Sequence, residues 1–349
     1  MEAACFGQPI IQIHPTRRCN LRCLHCYSFS APEERDQLSS LVLEEALSDA
    51  AALGYKVASF SGGEPVLYNS LGSLLRIAKD LGFRTTVTSN GMLLDEKRLG
   101  MLTGCTDVLA ISLDGVPESH NRMRASAEAF ERMQGNLERV RKSGIAFGFI
   151  FTLTQFNVNE IDWAARFAVE QGARLFQIHP LEEVGRASQL LIGSRPDEME
   201  SAFAYLEAER IRRMYGDRLY VQLDIFHREL VKRFPARFYA EESWPPGARL
   251  ADLVTPLVVE ADGNVVPLGY GFARRFGLGS IGETRLRDLA PHWLRLRYPA
   301  FRQLCRDVYA EACRPTELPF LNWYEMLGAR SGDEPAPVEF SGQAIGASS

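Results

Sequence analysis

The sequence lacks the features that mark membrane-spanning and secreted proteins. No apolar run approaches the ~18–20 residues that a membrane span requires. The first twenty residues contain no basic segment followed by a long apolar core, so we expect no secretion signal and a cytoplasmic protein. Positive charge is also in deficit, because 39 Lys and Arg face 44 Asp and Glu and leave a net charge of −5. This balance gives no electrostatic footprint for nucleic acid, and we expect neither a nucleic-acid nor a membrane partner.

Cysteine is scarce and unevenly placed. The chain has seven cysteines in 349 residues, an odd number, which together with the missing secretion signal argues against a disulfide framework. Three of them, Cys19, Cys23 and Cys26, fall within eight residues. The remaining composition, 46% hydrophobic and 24% charged, is ordinary for a globular protein and excludes a chain that is disordered throughout. The cysteine cluster is therefore the most informative feature.

Short β-branched or aromatic runs alternate with longer amphipathic stretches over the first two thirds of the chain. The predicted strands are Ile10–His14, Val57–Ser61, Arg84–Thr88, Val108–Ser112, Ala146–Thr152 and Leu175–His179. The predicted helices are Leu41–Leu53, Ser70–Leu81, Glu128–Lys142 and Glu160–Gln171, and a glycine lies just after three of them, as expected for helix ends. The alternation predicts a parallel sheet with outer helices, wound by right-handed crossovers into a barrel. Functional residues should follow the carboxyl ends of its strands.

The pattern changes after residue 180. The predicted elements are a helix over Asp197–Tyr215, a strand over Leu219–Ile225, a linker at Trp244-Pro245-Pro246-Gly247, a hairpin of Leu253–Glu260 with Val265–Leu268, and a helix within Arg285–Arg297. The hairpin rests on Asp262-Gly263, which tolerates the positive φ angles of a tight turn. Residues 331–349 are rich in Gly, Ser, Ala and Pro, and we expect a disordered tail there.

The clustered cysteines come directly after the first predicted strand with the spacing C-x3-C-x2-C. Thiolates are soft ligands that select zinc, copper(I) or iron–sulfur clusters. A structural zinc site requires four ligands, and His25 is a candidate fourth ligand whose position beside Cys26 makes joint ligation awkward. Three cysteines on one loop can instead bind three irons of a 4Fe–4S cube and leave the fourth iron open. Three reduced cysteines, or a small zinc knuckle, are the alternatives.

This loop resembles that of the radical S-adenosylmethionine (radical SAM) enzymes. Their hallmark is C-x3-C-x2-C after the first barrel strand, and Cys19-Asn20-Leu21-Arg22-Cys23 followed by His25-Cys26-Tyr27 looks like the branch with a C-terminal SPASM or twitch domain. The resemblance covers residues 9–190 and, more weakly, 250–315. It implies one 4Fe–4S cluster on the three cysteines, with SAM chelating the open iron. One electron, from an external reductant such as flavodoxin or ferredoxin, then cleaves SAM to a 5′-deoxyadenosyl radical that takes a hydrogen atom from substrate.

Glycines and polar residues follow the next predicted strands. Two glycines let the backbone pass close to a ligand, and Glu64 beside them offers an acceptor for a cation. By resemblance this is the family's GGE motif, which binds the SAM amino group, and a tight turn with a solvated glutamate is the alternative. Thr88–Gly91 and Ser112–Gly115 resemble segments that face the SAM ribose and carboxylate. The residues that the resemblance assigns to SAM are Gly62, Gly63, Glu64, Asn90, Ser112, Asp114 and Arg124.

Two further candidates are open to simpler interpretations. Arg122 and Arg124 could each pair with the SAM carboxylate, since guanidinium matches carboxylate bidentately, although a surface cation is an equally good interpretation of either. The segment Ile178–Ala187 resembles a family segment near the adenine and ribose. For His179 alone, a hydrogen-bonded core histidine is the safer interpretation.

The C-terminal region departs from the family pattern. Thr255–Leu268 resembles the SPASM/twitch hairpin, in which a cysteine stands at the position of Leu268. Leucine cannot ligate iron, and only Cys305 and Cys313 follow, whereas a second 4Fe–4S site normally takes four ligands. We therefore expect no auxiliary cluster, with one on Cys305, Cys313 and outside ligands as the alternative.

This degenerate domain is expected to close the open side of the barrel and to shape the substrate pocket. Asp224, His227 and Tyr270–Phe272 are the pocket candidates, and packing explains them equally well.

These observations predict an α/β fold, a partial (βα)6 TIM-like barrel over residues 1–217 with a small α+β SPASM/twitch-like domain over residues 218–330. The predicted function is that of a radical SAM enzyme that modifies a peptide, as ribosomal natural-product maturases do, with the reaction type left open. A small metabolite such as a sugar or nucleoside is the alternative substrate. Two expectations count against a self-contained peptide maturase. The barrel is expected to begin near residue 9, which leaves no room for a leader-peptide domain, and the auxiliary clusters are expected to be missing. A non-catalytic zinc- or iron-binding module is a remote alternative.

Overall fold

The chain folds around one ten-stranded sheet. The computed structural model describes residues 7–239 and 247–332. The strands are β1 (Ile10–Ile13), β2 (Val57–Phe60), β3 (Arg84–Ser89), β4 (Val108–Ser112), β5 (Phe147–Leu153), β6 (Leu175–Pro180), β7 (Tyr220–Leu223), β8 (Phe226–His227), β9 (Leu257–Val259), β10 (Asn264–Pro267), β11 (Gly279–Ser280) and β12 (Phe320–Leu321). The sheet has the order β11-β10-β9-β1-β2-β3-β4-β5-β6-β7, and β8 pairs with β12 separately.

Helices connect and cover these strands. They are α1 (Ser40–Ala52), α2 (Leu71–Asp80), α3 (Glu96–Leu102), α4 (Pro117–Arg124), α5 (Ala129–Lys142), α6 (Ile161–Glu170), α7 (Ala187–Leu190), α8 (Glu198–Tyr215), α9 (Arg228–Arg233), α10 (Leu250–Leu253), α11 (Leu286–Leu296), α12 (Tyr298–Ala312) and α13 (Trp323–Gly332). Each of the strands β1 to β6 is followed by at least one helix before the next parallel strand, as a βα barrel requires.

The strands from β1 to β7 are all parallel, each paired with the next along the chain. The core strand β5 reads FGFIFTL and is buried at six of its seven positions, as expected for a strand covered on both faces. Within the described residues, the edge strands β7 and β11 are not paired with each other, so the sheet stays open. The predicted partial (βα)6 barrel is confirmed.

Both edges of this sheet come from the region after residue 217. At one edge β7 pairs with β6, and at the other β9 pairs in parallel with β1, through Ile11 and Leu257 for example. The predicted hairpin is confirmed as β9 and β10, joined through Asp262-Gly263, with Gly263 at φ +87°. Strands from both sides of residue 217 therefore belong to one sheet, and the division into domains there stays a prediction.

The predicted elements agree with the observed ones to within a few residues, with some omissions. Helices α3, α4, α7, α9, α10, α12 and α13 and strands β8, β11 and β12 were not predicted, although Asp95 caps α3 by accepting a hydrogen bond from the Arg98 amide at 2.8 Å. Residues 244–246 of the predicted linker and residues 333–349 of the predicted tail lie outside the described residues. In the described part of the chain, no helix is long and apolar enough to cross a membrane.

Candidate active site

The cysteine loop joins β1 to α1 and is held at several points. The Cys19 amide donates to the Ala31 carbonyl at 3.1 Å, which closes the loop on itself. Arg186, in the loop after β6, donates from its backbone amide to the Cys26 carbonyl at 2.8 Å and from Nη1 to the Cys23 carbonyl at 2.7 Å. The loop is therefore fixed against the mouth of the barrel, and sequence reasoning missed Arg186 because its partners are 160 residues away.

The three thiols share a secluded environment. Cys19 and Cys23 are each 8% exposed and Cys26 is half-buried. Burial raises the pKa of the Cys19 thiol, and the negative charge of Glu64 raises it further. Burial also raises the pKa of Cys23. The positive charge of Arg124, whose Nη1 lies 3.8 Å from Cys23 Sγ, opposes this rise. Holding thiolates here therefore requires positive charge beyond Arg124, which bound iron supplies.

The geometry does not favour a zinc site. Within residues 7–239 and 247–332, no three His, Cys, Asp or Glu side chains lie close enough to share one metal ion. A zinc ion draws its ligands onto one point, whereas a 4Fe–4S cube is held by cysteines that each bind a different iron.

The glycine turn after β2 lies directly against the cysteine loop. The Gly63 amide donates to the Thr16 carbonyl at 2.8 Å, and the Glu64 amide donates to the Arg18 carbonyl at 2.9 Å. A Cβ on Gly63 would lie 2.7 Å from the Arg18 carbonyl carbon, and Gly62 adopts φ +120°. Only glycines allow these two backbones to meet so closely.

Glu64 is fully buried, which rules out the alternative of a solvated glutamate in a turn. Its Oε2 accepts a hydrogen bond from the Asn90 amide at 2.9 Å, and its Oε1 has no hydrogen-bond partner. Burial raises the pKa of Glu64 to about 7, and the hydrogen bond from Asn90 opposes that shift. A buried carboxylate with one free oxygen is prepared to accept from a cationic donor.

The residues after β3 and β4 complete two connected groups. Asn90 Nδ2 donates to Asn20 Oδ1 at 2.8 Å, so the end of β3 is tied to the cysteine loop. Asp114 is fully buried and accepts from Arg124 Nε at 2.6 Å. Burial alone raises the pKa of Asp114, but the Arg124 guanidinium outweighs burial and lowers it to about 2. Ser112 is 8% exposed at the carboxyl end of β4.

The structure separates the two arginine candidates. Arg124 is buried between Asp114 and Cys23, whereas Arg122 is exposed and lies over the ring of Phe156 at 5.5 Å. Sequence reasoning missed His120, whose Nδ1 accepts a hydrogen bond from the Asp114 amide at 3.2 Å. The sequence did contain one signal for this segment, because Pro117 is a favoured first residue of a helix and marks the start of α4, which carries His120.

A cavity of about 290 Å³ lies beside the cysteine loop. Its walls are the loop after β6, the loop after β10 and the helix α13. The lining residues are Glu182, Glu183, Val184, Arg195, Leu268, Gly269, Tyr270, Gly271, Phe272, Tyr324, Glu325, Gly328, Ala329 and Ser331. The predicted Tyr270–Phe272 run is therefore part of this wall, and so is Leu268.

His179 is not a core histidine. Its side chain is 34% exposed, its Nδ1 lies 2.9 Å from Asp224 Oδ2, and its Nε2 lies 3.4 Å from Glu182 Oε1. Asp224 and His179 do not line the cavity themselves, and they are connected to it through Glu182. His227 lies elsewhere, in β8, where its Nδ1 accepts from the Glu229 amide at 3.2 Å and caps α9.

Three aromatic rings connect the cavity to the cysteine loop. Tyr270, which lines the cavity, packs on His14 and on Tyr27 with ring centroids 4.8 and 5.3 Å apart. Tyr27 follows Cys26, and its hydroxyl lies 3.0 Å from Ser61 Oγ, beside the glycine turn. His14 is fully buried and neither ring nitrogen has a hydrogen-bond partner. The sequence offered no signal for this residue except its place at the end of β1.

Cys305 and Cys313 do not approach this site. Cys305 is fully buried in α12, and Cys313 lies at the end of the same helix. Eight residues along a helix correspond to about 12 Å, so the two thiols are poorly placed to ligate one cluster together.

Comparisons with known proteins agree with this site. Residues 13–168 match the family model of the radical SAM superfamily. The chain is 29% identical over 210 residues to Fe-coproporphyrin III synthase of Methanosarcina barkeri, which covers 60% of this chain and 53% of that protein. It is 26% identical over 310 residues to the sporulation killing factor maturation protein SkfB of Bacillus subtilis, covering 87% of this chain and 70% of SkfB.

A solved structure shares the fold. Streptococcus suis SuiB, bound to precursor peptide SuiA, superposes with a TM-score of 0.66 at 17% identity, covering 84% of this chain and 66% of SuiB. The family match includes the cysteine loop and the glycine turn, and enzymes of this family use a 4Fe–4S cluster and S-adenosylmethionine. Residues 13–168, which contain both the cysteine loop and the glycine turn, are thus similar to the radical SAM superfamily.

Proposed function

We propose that the chain is a radical SAM enzyme that holds one 4Fe–4S cluster on Cys19, Cys23 and Cys26 and binds SAM over the turn after β2. The observation that carries the proposal is the docking of this turn onto the cysteine loop, with a buried carboxylate between them. Glu64 contributes one oxygen to the Asn90 amide and keeps the other unpaired. A buried unpaired polar group costs about 1–3 kcal/mol, and the SAM ammonium group is a partner that removes this cost.

When bound, the cluster and SAM supply a 5′-deoxyadenosyl radical that abstracts a hydrogen atom from substrate. The protein's own part is to position and to exclude water. Gly62 and Gly63 keep the turn against the cysteine loop, and Glu64 accepts from the ammonium group. Arg124, held by Asp114 at 2.6 Å, offers its remaining donors to the SAM carboxylate.

Asn90 and Ser112 complete the SAM site in this proposal. Both are at least nine-tenths buried, and both lie at the carboxyl ends of parallel strands, where ligands bind in α/β barrels. Asn90 is already fixed by Asn20 and Glu64, so its side chain is oriented before any ligand arrives. Orientation in advance lowers the entropic cost of binding.

The region after residue 217 closes the mouth of the barrel and shapes the substrate pocket. Its contribution is the wall formed by the loop after β10 and by α13. With Leu268 at the hairpin position and Cys305 buried in the core, we assign this degenerate SPASM/twitch-like region no auxiliary cluster. An external one-electron reductant such as flavodoxin or ferredoxin supplies the electron, and we place the protein in the cytoplasm.

The substrate that we favour is a peptide. SkfB matures a peptide by its name, and SuiB was crystallised with its precursor peptide. The match to SkfB extends over 87% of this chain, well beyond residues 13–168 of the family match. That extent distinguishes it from the match to Fe-coproporphyrin III synthase, which covers 60%.

A small metabolite is the second candidate. Fe-coproporphyrin III synthase has the higher identity of the two sequence relatives, 29% against 26%, and its name gives a small-molecule product. The two candidates separate in one assay, because the true substrate should increase 5′-deoxyadenosine formation above the basal rate. Peptides encoded beside the gene are to be compared with tetrapyrroles, nucleosides and sugars in that assay.

Anaerobic reconstitution tests the enzyme itself. The reconstituted protein should absorb near 400 nm, as iron–thiolate charge transfer does, to an extent of about one cluster, and should form 5′-deoxyadenosine from SAM with a reductant. Cys23→Ala should abolish both signals, because it removes one of three thiolates. Cys105→Ala is the matched control, since Cys105 is also buried but donates to the Met101 carbonyl in the core. A Cys23→Ala variant that still cleaves SAM would disprove the assignment, and a colourless, inert protein would favour a zinc-binding module.

A further inference from the structure

The charges around the cavity are unbalanced. Three carboxylates line it, Glu182 and Glu183 after β6 and Glu325 on α13, against one cation, Arg195. Arg195 bridges two of them, with Nε 3.3 Å from Glu183 Oε1 and Nη1 2.6 Å from Glu325 Oε1. This bridge ties α13 to the barrel, and the single positive charge of Arg195 leaves two of the three negative charges uncompensated.

Next to the lining, His179 and Asp224 add one cation and one carboxylate, so the excess of two negative charges is unchanged. His179 is shared between Glu182 at 3.4 Å and Asp224 at 2.9 Å. Burial lowers the pKa of His179, but the hydrogen bonds that its ring donates to these two carboxylates outweigh burial and raise the pKa to about 10. His179 is therefore an imidazolium at neutral pH. Even so, four carboxylates face two cations around this cavity.

The remaining walls suit the same kind of ligand. Tyr270, Phe272 and Tyr324 supply aromatic rings, whose faces attract cations. The carboxylates and the aromatic faces of the lining both favour an N–H donor that carries positive charge.

The size of the cavity limits what enters it. Its 290 Å³ is at the lower end of the range of about 300–1,000 Å³ for ligand pockets. A single extended side chain fits that space. Glu325 gives a further reason for a cation, because burial raises the pKa of this carboxyl and only Arg195 opposes the shift strongly.

We propose that this cavity binds a positively charged group of the substrate, an ammonium or guanidinium such as a lysine or arginine side chain of a peptide. The inference rests on the proposed function, in which this cavity is the substrate pocket, and it goes further by naming the charge that the pocket selects. Glu182 contributes most to this selection, because Glu183 and Glu325 share Arg195, whereas the cation beside Glu182, His179, lies nearer to Asp224 (2.9 Å) than to Glu182 (3.4 Å).

The test compares two probes that differ in charge and hardly in shape. N-acetyl-arginine amide and N-acetyl-citrulline amide are titrated into the full, reconstituted chain with SAM present, at low ionic strength, and binding is followed by calorimetry or saturation-transfer NMR. The arginine probe should bind at least tenfold more tightly. Equal binding, tighter binding of citrulline, or no binding of the arginine probe at millimolar concentration would overturn the proposal.

Variants locate the selectivity in the cavity. Glu182→Gln should remove most of the tenfold preference, and Glu170→Gln, an exposed substitution on α6, should retain it. Full preference in a folded Glu182→Gln protein would overturn the assignment of the site. Basal 5′-deoxyadenosine formation is measured on the same wild-type preparation. Its absence would count against the proposed function, whereas its presence without a charge preference would count only against this inference.

Discussion

Replacing Gly63 by alanine tests the contact on which the site depends. The added Cβ would lie 2.7 Å from the Arg18 carbonyl carbon and 2.9 Å from that of Arg17. Carbon atoms in good contact are about 3.5 Å apart, and the Arg18 carbonyl oxygen lies closer still, so the two backbones must separate by at least about 0.8 Å. Neither partner is a flexible side chain that can move aside. The strain therefore falls on the hydrogen bonds from Gly63 to Thr16 at 2.8 Å and from Glu64 to Arg18 at 2.9 Å.

The expected cost follows from these contacts. Overpacking costs about 1–3 kcal/mol and each lost backbone hydrogen bond about 1 kcal/mol, so Gly63→Ala should lower the free energy of unfolding by roughly 2–5 kcal/mol. Because the displaced segment leads directly into Cys19, iron content and SAM cleavage should fall as well. Urea unfolding followed by circular dichroism measures the stability, and iron analysis measures the loading.

Gly135→Ala is the matched control. Gly135 lies inside α5, and a Cβ there would meet nothing within 4 Å. Alanine is favoured over glycine within a helix, so this variant should gain about 0.5–1 kcal/mol and keep its iron. If Gly63→Ala matched the wild type in stability and in iron content, the close approach of turn and loop would not be the basis of the site.

Three further predictions address the ligand, the cluster count and the pH dependence. Glu64→Ala should weaken SAM binding roughly ten- to a hundred-fold, because leaving a charged group unpaired costs ~2–3 kcal/mol. The iron content should stay unchanged. If equilibrium dialysis gave the same SAM affinity for this variant and the wild type, the pocket would be misplaced. The reconstituted chain should contain about four irons, which is one cluster, and the Cys305→Ala/Cys313→Ala double variant should keep them. An iron content near eight per chain would show that other residues ligate a second cluster. Burial lowers the pKa of His14 from 6.5 to about 3, so only the unfolded state takes up this proton near pH 6 and stability is lost as pH falls below 6.5. His14→Leu should therefore remove about 1.4 kcal/mol of the wild-type decrease in unfolding free energy between pH 7.5 and 5.5, measured by urea unfolding, and an unchanged pH profile would contradict the burial of a neutral imidazole.

The barrel was predictable because its signals are local. Strands β1 to β6 are short apolar runs, and the helices between them mostly end at glycines, so periodicity and stop signals suffice. The helices that escaped prediction depend on tertiary contacts. Helix α12, for example, buries Phe301 and Cys305 against the barrel, and its polar residues hide the pattern in the sequence.

The site was predictable where its residues are adjacent in sequence. The cysteine spacing and the Gly62-Gly63-Glu64 run each identify themselves through a motif. The residues that surround these motifs were not predictable, since Arg186, His120 and His14 reach the site from other strands and helices. A single histidine or arginine carries no pattern, and only its distance to Cys23 or Asp114 gives it meaning.

By itself, the sequence determined the thiol ligands, the glycine turn and the order of strands and helices, because each depends on neighbouring residues and on the preference of a residue type for a backbone conformation. The tertiary structure alone decided that Glu64 is buried with a free oxygen, that Arg124 and not Arg122 faces Cys23, and that the carboxylates Glu182 and Glu325 share one cavity. These facts depend on distances between segments that lie far apart along the chain. Burial and charge pairing arise only when packing brings such segments together, and no local pattern encodes them.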